Sequence, residues 1–97
     1  MKLKGESTEE IAEILKAMGH SSRIEILLLL KKNKKMSVTQ IHEYLGLTQP
    51  ETSRHLSIMK SKRILLFERD GSSIYYSINK NNLVFNFIEK LLKKNEE

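Results

Sequence analysis

The segment that decides the fold is "GLTQPETSRHLSIMK", residues 46–60. It opens with a glycine, which commonly follows the end of a helix, and continues with Thr48 and Pro50, residue types that begin one. Glu51 stands three residues after Thr48, the spacing of a capping box, and apolar residues then recur at helical spacing. We predict a tight turn followed by a helix that ends at about Arg63.

Another helix should precede this turn. It starts near Ser37, turns Ile41 and Leu45 inward, and ends at Gly46. Two helices joined by three residues that include a glycine are typical of a helix-turn-helix, predicted here over about 37–63.

From Leu65 the apolar period changes from helical to two. The run "IYYSI" at 74–78 alternates in this way, and Asp70-Gly71 is a turn signal between two β-prone runs. We predict a β-hairpin over about 65–79, which makes the helix-turn-helix a winged one.

Two helices should precede this unit. The first starts at Ser7 or Thr8, where a hydroxyl can cap it. The second starts at Ser21 or Ser22, and a glutamate three residues after Ser22 has capping-box spacing. Its run 24–30 is apolar almost all round, so we expect it at the centre of the core.

A final helix is predicted over about 82–94. Its apolar residues cover more than one stripe, namely Val84, Phe85, Phe87, Ile88, Leu91 and Leu92. This surface suits a partner, although such a helix can also simply cover its own core. The expected fold is a single domain over 1–97, mainly α with a small β-hairpin, in the order α-α-α-α-β-β-α.

Composition limits the class of protein. The 97 residues are 39% hydrophobic and 30% charged, as in a small globular domain. The longest apolar run, Ile26 to Leu30, is far shorter than the ~18 residues of a membrane span, and Met1 to Glu6 shows no signal-peptide pattern. We expect a cytoplasmic protein with no membrane association. Because the chain has no cysteine, disulfides and thiolate metal sites are excluded.

The net charge of +5 makes a polyanionic partner plausible. Lysines gather at residues 31–35 and 90–94, each time after an apolar helical run. These clusters suit DNA phosphates, and they equally suit the negative ends of helix dipoles.

The polar face of the 46–60 helix has the chemistry of DNA recognition. Short hydrogen-bonding side chains near a helix N-terminus can enter the major groove and reach base edges. A solvated helix face with no such role is the alternative, but the turn and the basic hairpin tip favour DNA. The predicted DNA-binding residues are Gln49, Thr52, Ser53 and His55 toward bases, Arg54 and Lys60 toward backbone or bases, and Arg69 and Ser72 on the wing.

The sequence resembles the ArsR/SmtB (arsenic-repressor) family of winged-helix transcription repressors. The resemblance lies in "AMGHSSRIEILLLL" (17–30), "SVTQIHEYLGLTQPETSRHLSIMK" (37–60) and "RDGSSIYYSI" (69–78). It implies a homodimer built from the first and last helices, over about 8–18 and 82–94, with the 46–60 helix in the major groove and the hairpin as wing.

The chain departs from the family at its metal sites. Ser37 and Thr39 occupy the positions of a Cys-x-Cys pair that many relatives carry, and no Asp or His follows Asn79. The three histidines, at positions 20, 42 and 55, have no metal-ligand spacing, so we expect no metal. His55 would make DNA affinity fall as pH rises if it met a phosphate.

The sequence therefore predicts a homodimeric, sequence-specific repressor that binds an inverted repeat in double-stranded DNA. A winged-helix module that binds only proteins is the alternative. No motif indicates an enzyme, a catalytic residue or a cofactor. The releasing signal stays open between a small molecule, a protein partner and dimerisation driven by protein concentration.

Overall fold

The computed structural model describes residues 7–82 and 85–96 of the chain. It confirms the predicted winged helix-turn-helix and adds one strand to it. The elements are α1 (Thr8–Met18), α2 (Ser21–Asn33), β1 (Lys35–Ser37), α3 (Val38–Leu45), α4 (Gln49–Ser61), β2 (Leu65–Asp70), β3 (Ser73–Ile78) and α5 (Phe85–Glu96).

The first two helices begin with side-chain caps. Ser7 Oγ accepts a hydrogen bond of 3.1 Å from the Glu10 N–H, and Glu10 Oε1 accepts one of 2.9 Å from the Ser7 N–H. Hydrogen bonding of the Glu10 carboxylate to Ser7, first of all to its backbone N–H, lowers the pKa of Glu10. The cap of α2 differs from the prediction, because His20 Nδ1 accepts from the Ser22 N–H at 3.1 Å and Ser21 is already helical. A ring nitrogen thus replaces the expected serine hydroxyl.

The turn between α3 and α4 follows the sequence signals. Ser37 caps α3 in a full capping box with Gln40, and Gly46 ends the helix with a left-handed φ of 72°. Thr48 Oγ1 caps α4 by accepting from the Glu51 N–H at 3.2 Å. Only this half of the predicted box occurs among the described contacts of these two residues. The two helices of the motif are therefore joined by a short connection with both ends capped.

The end of α4 was predicted two residues too late. The helix ends at Ser61, and Arg63 adopts a left-handed φ of 60°. The Arg63 N–H donates to the Lys60 carbonyl at 2.9 Å and the Ile64 N–H to the Met59 carbonyl at 3.0 Å. This is a Schellman motif, in which an arginine occupies the position that glycine usually takes.

The core forms around α2, as its apolar composition predicted. Ile26 is fully buried, and Leu27 and Leu30 are nearly so. Side chains of α1, α3, α4 and the sheet pack against α2. The rest of the core, which includes Leu29 of α2 and Ile64 before β2, is fully or largely buried: Ile14, Ala17, Met18, Leu29, Ile41, Leu56, Met59, Ile64, Leu65 and Tyr76.

The sheet has the strand order β1-β3-β2, with antiparallel pairing throughout. Strand β1 was not predicted, because its three residues form a strand only by pairing with β3, where Met36 lies opposite Tyr76. On the other sheet face, Lys35 Nζ lies 3.1 Å from Glu68 Oε1. This exposed ion pair spans all three strands and joins the middle of the hairpin to β1.

Part of the prediction for α5 lies outside the described residues. This holds for Val84 and for the side chains of Phe85, Ile88 and Leu92, as it does for the N-terminal segment 1–6. Within 7–82 and 85–96, no helix has the length and apolar character needed to cross a membrane.

Candidate nucleic-acid interface

The inward face of α4 contains two polar residues that were predicted to contact DNA. Thr52, His55, Leu56 and Met59 all have 0% exposure, at the i, i+3, i+4, i+7 spacing of one helix face. A completely buried side chain cannot reach a base edge. The prediction that Thr52 and His55 face bases is therefore wrong, and both belong to the core.

These two residues have internal hydrogen bonds instead. Thr52 Oγ1 donates to the Thr48 carbonyl at 2.9 Å. His55 Nδ1 accepts from Arg23 Nε at 3.0 Å, and Arg23 Nη1 donates to the Ala17 carbonyl at 2.9 Å. The bonds of Arg23 to His55 and Ala17 thereby hold α4 against α2 and the end of α1, whereas the Thr52 bond stays within the start of α4.

Burial, followed by the positive charge of Arg23, lowers the pKa of His55. Its Nδ1 accepts a hydrogen bond, so the neutral ring carries its proton on Nε2, which is buried without a hydrogen-bond partner among the described residues. The His20 ring lies 4.7 Å away, centroid to centroid. The expectation that His55 meets a phosphate is wrong for the same reason as its assignment to bases.

The outward face of α4 is left to a narrow set of polar side chains. At 100° per residue, the direction opposite Thr52 and Leu56 is centred near Arg54, which is exposed. Gln49 and Ser53 stand on one flank of this face, exposed and half-buried respectively. These three predicted residues lie on the side of α4 that faces away from the core.

Ser57, which was not among the predicted residues, extends this exposed flank. It is exposed and lies four residues after Ser53, on the same flank of α4. Helical spacing could have pointed to Ser57, because it lies one turn after Ser53 and away from the buried Leu56.

Lys60 continues this flank toward the wing. Its Nζ lies 4.4 Å from the centroid of the Phe67 ring on β2. The contact places the lysine where the end of α4 and the first strand of the hairpin meet.

The wing carries the other two predicted residues at its tip. Arg69 and Ser72 are both exposed, beside a turn in which Gly71 has a left-handed φ of 66°. Two acidic residues flank Arg69 on the strand: Glu68 pairs with Lys35 across the sheet, and Asp70 is exposed beside the turn. The tip therefore presents a cation, a carboxylate and a hydroxyl to solvent.

The geometry gives no support to a metal centre in the part of the chain that is described. Within it, no three His, Asp or Glu side chains gather as ligands. Ser37, at the position of a family cysteine, has its hydroxyl engaged as the cap of α3, accepting from the Gln40 N–H at 3.2 Å.

Large apolar side chains are exposed on the first and last helices. Leu15 of α1 is 44% exposed, and Phe87 and Leu91 of α5 are 55% and 52% exposed. Phe87 and Leu91 lie one helical turn apart and so share one side of α5.

Comparisons with known proteins identify relatives of this architecture. The family model described as "Bacterial regulatory protein, arsR family" matches residues 20–65. The transcriptional repressor PagR of Bacillus anthracis is 45% identical over 78 residues, which is 80% of this chain and 78% of PagR. The transcriptional repressor SdpR of Bacillus subtilis is 35% identical over 83 residues, covering 79% of this chain and 91% of SdpR.

Solved structures agree with this relationship. The crystal structure of PagR has a TM-score of 0.73 at 41% identity, covering 89% of this chain and 92% of that chain. HlyU from Vibrio cholerae, at 24% identity, shares the fold with a TM-score of 0.82 over 93% of this chain and 96% of its own. The protein belongs to the arsR family of bacterial regulatory proteins and is a DNA-binding transcriptional regulator.

Proposed function

We propose that this regulator is a cytoplasmic homodimer that represses transcription by occupying an inverted-repeat operator. Helix α4 enters the major groove, and the wing follows the adjacent minor groove or its phosphates. The protein acts by binding alone, with no catalysed reaction and no cofactor. Two related proteins, PagR and SdpR, are named as repressors, which supports repression rather than activation.

The observation that carries this proposal is the division of α4 into two faces. Four fully buried residues fix its inner face, while Gln49, Ser53 and Arg54 point away from the core. Short polar side chains on a rigid helix can approach base edges closely, and a glutamine or arginine can form two hydrogen bonds with one base. Arg54 and Gln49 are the candidates for such contacts, and Ser53 and Ser57 suit bases or phosphates.

The predicted division into functional segments is part of the proposal. The helix-turn-helix, about 37–63, and the wing, about 65–79, contact DNA, while the helices about 8–18 and 82–94 join the protomers. Leu15, Phe87 and Leu91 support this interface, because covering exposed leucine and phenylalanine on the first and last helices with a second copy removes apolar surface from water, which is favourable. Two-fold symmetry then requires two half-sites about one helical turn, ~10 bp, apart.

Selection of bound duplexes from random DNA tests the proposal. We expect the protein to enrich an inverted repeat, and a footprint to cover two half-sites. The double variant Gln49→Ala, Ser53→Ala should lose the preference for this sequence while keeping its fold. Glu25→Ala, an exposed change on α2, is the matched control and should bind as the unaltered protein does.

The same selection experiment would give a different result if the protein were a module that binds only other proteins. In that case no sequence is enriched, and the double variant at positions 49 and 53 binds DNA as weakly as the parent protein. Such a result would overturn the proposed function.

A further inference from the structure

An aromatic side chain on the wing is exposed, although its ring contacts a buried tyrosine. Phe67 on β2 is 53% exposed and lies opposite Tyr76 in the register of β2 and β3. The two rings are 6.4 Å apart between centroids, and Tyr76 is itself buried. Phe67 is thus a fixed platform attached to the core through Tyr76.

The platform is covered by a cation from another element. Lys60, near the end of α4, places its Nζ 4.4 Å from the Phe67 centroid, within the range of a cation–π contact. Such a contact uses the electrostatic field of the ring and leaves N–H groups of the ammonium able to donate to other acceptors. A lysine without a platform would lose more side-chain entropy when it bound a phosphate.

Lys60 and Phe67 lie where the DNA backbone would pass in the proposed complex. When a recognition helix lies in the major groove and a wing reaches the adjacent minor groove, the sugar-phosphate strand between the two grooves passes the junction of helix and wing. Lys60 and Phe67 occupy that junction, because one belongs to α4 and the other to β2. Lys60 also shares a flank of α4 with Gln49 and Ser53.

We propose that Phe67 is a positioning residue, which holds the Lys60 ammonium at the phosphate strand between the two grooves. This inference rests on the proposed DNA-binding mode. The acidic residue next to Phe67 on β2 does not compete for the Lys60 ammonium, because Glu68 lies on the opposite sheet face and its Oε1 accepts from Lys35 Nζ at 3.1 Å. Arg69 lies on the same face as Phe67 and carries the same charge as Lys60. Lys60 therefore contacts backbone rather than bases, and its effect on affinity depends on the aromatic ring beneath it.

The experiment measures DNA affinity by fluorescence anisotropy over a series of salt concentrations. The probes are the duplex that the protein selects from random DNA and an unrelated duplex of equal length. Lys60→Met should weaken binding to both duplexes and reduce the salt slope by about 1, as expected for one lost phosphate contact. Phe67→Leu should weaken binding by about two- to fivefold, while Phe67→Tyr, which keeps an aromatic ring, should bind as the parent does.

The double variant separates positioning from other roles of Phe67. In the Lys60→Met background, Phe67→Leu should have no further effect on affinity, because the cation that the ring positions is already absent. Thermal melts of each variant show whether the fold is retained. Phe67→Met also removes the aromatic ring, so it should weaken binding as Phe67→Leu does.

Each outcome bears on a definite claim. If Phe67→Leu and Phe67→Met bind as tightly as the parent, or weaken binding equally without Lys60, Phe67 does not position the lysine. If no duplex is selected at all, the proposed operator recognition fails, and the unrelated duplex still tests the Lys60 and Phe67 pair by its affinity and salt slope.

Discussion

Arg23 Nε donates a hydrogen bond of 3.0 Å to His55 Nδ1, joining the first turn of α2 to the middle of the recognition helix α4. The same guanidinium donates to the Ala17 carbonyl near the end of α1 at 2.9 Å. One half-buried arginine therefore sets the relative position of three helices. Because Nδ1 can accept only when it carries no proton, the bond also requires a neutral imidazole.

This relationship predicts that stability falls in mild acid. The pKa of His55 is lowered in the folded protein by burial, then by the charges of Arg23, His20 and Arg54, against an opposite effect of Glu51. The unfolded chain therefore takes up the proton first. The stabilisation is complete above the unfolded pKa, about 6.5, and is lost as pH falls through the lower folded pKa.

Urea unfolding between pH 5 and pH 7.5 measures this effect. The variant His55→Asn keeps an acceptor oxygen for Arg23 but does not titrate, so its stability should change less over this range. An equal slope in both proteins would show that other groups cause the acid sensitivity.

Removal of the arginine should destabilise the fold. Arg23→Ala leaves the Ala17 carbonyl and His55 Nδ1 without their donors, and unsatisfied groups of this kind cost about 1–3 kcal/mol each. We expect the free energy of unfolding to fall by roughly 2–4 kcal/mol in urea titrations. Lys16→Ala, an exposed cation on α1, is the matched control and should change it by less than about 0.5 kcal/mol.

The end of α4 offers a stabilising change. Arg63 has a left-handed φ of 60°, a conformation that glycine adopts without steric strain. Arg63→Gly should raise the free energy of unfolding by about 0.5–1 kcal/mol, measured by thermal or urea melts. Arg63→Ala removes the same charge and keeps the strain, so an equal gain in that variant would contradict the backbone explanation.

The dimer interface is tested on α5. Phe87→Glu puts a charge in the centre of the proposed apolar contact, so sedimentation velocity should show a shift from dimer toward monomer. Operator affinity should fall at least tenfold with it, since a monomer holds one half-site. Lys93→Glu, an exposed charge change further along α5, should remain dimeric. Loss of association in both variants would indicate an effect of net charge rather than of this surface.

Local signals explain how much of the fold was predictable. The caps at Ser7, Ser37 and Thr48 and the left-handed Gly46 depend on residues within four positions of each other, so their chemistry is visible in the sequence. Strand β1 depends on pairing with β3, about forty residues away, and no local pattern predicts it.

The candidate interface was predictable only in part, because a sequence shows which residues share a helix face but not how the helix is rotated against its neighbours. The order of the five helices and the hairpin, and the place of the recognition helix, followed from the sequence alone, through apolar period and turn chemistry. The tertiary structure decided that Thr52 and His55 turn inward, since Arg23 on α2 supplies the donor that makes burial of a histidine tolerable. It also decided that Lys60 lies on Phe67, a contact between a helix and a strand that only packing brings together.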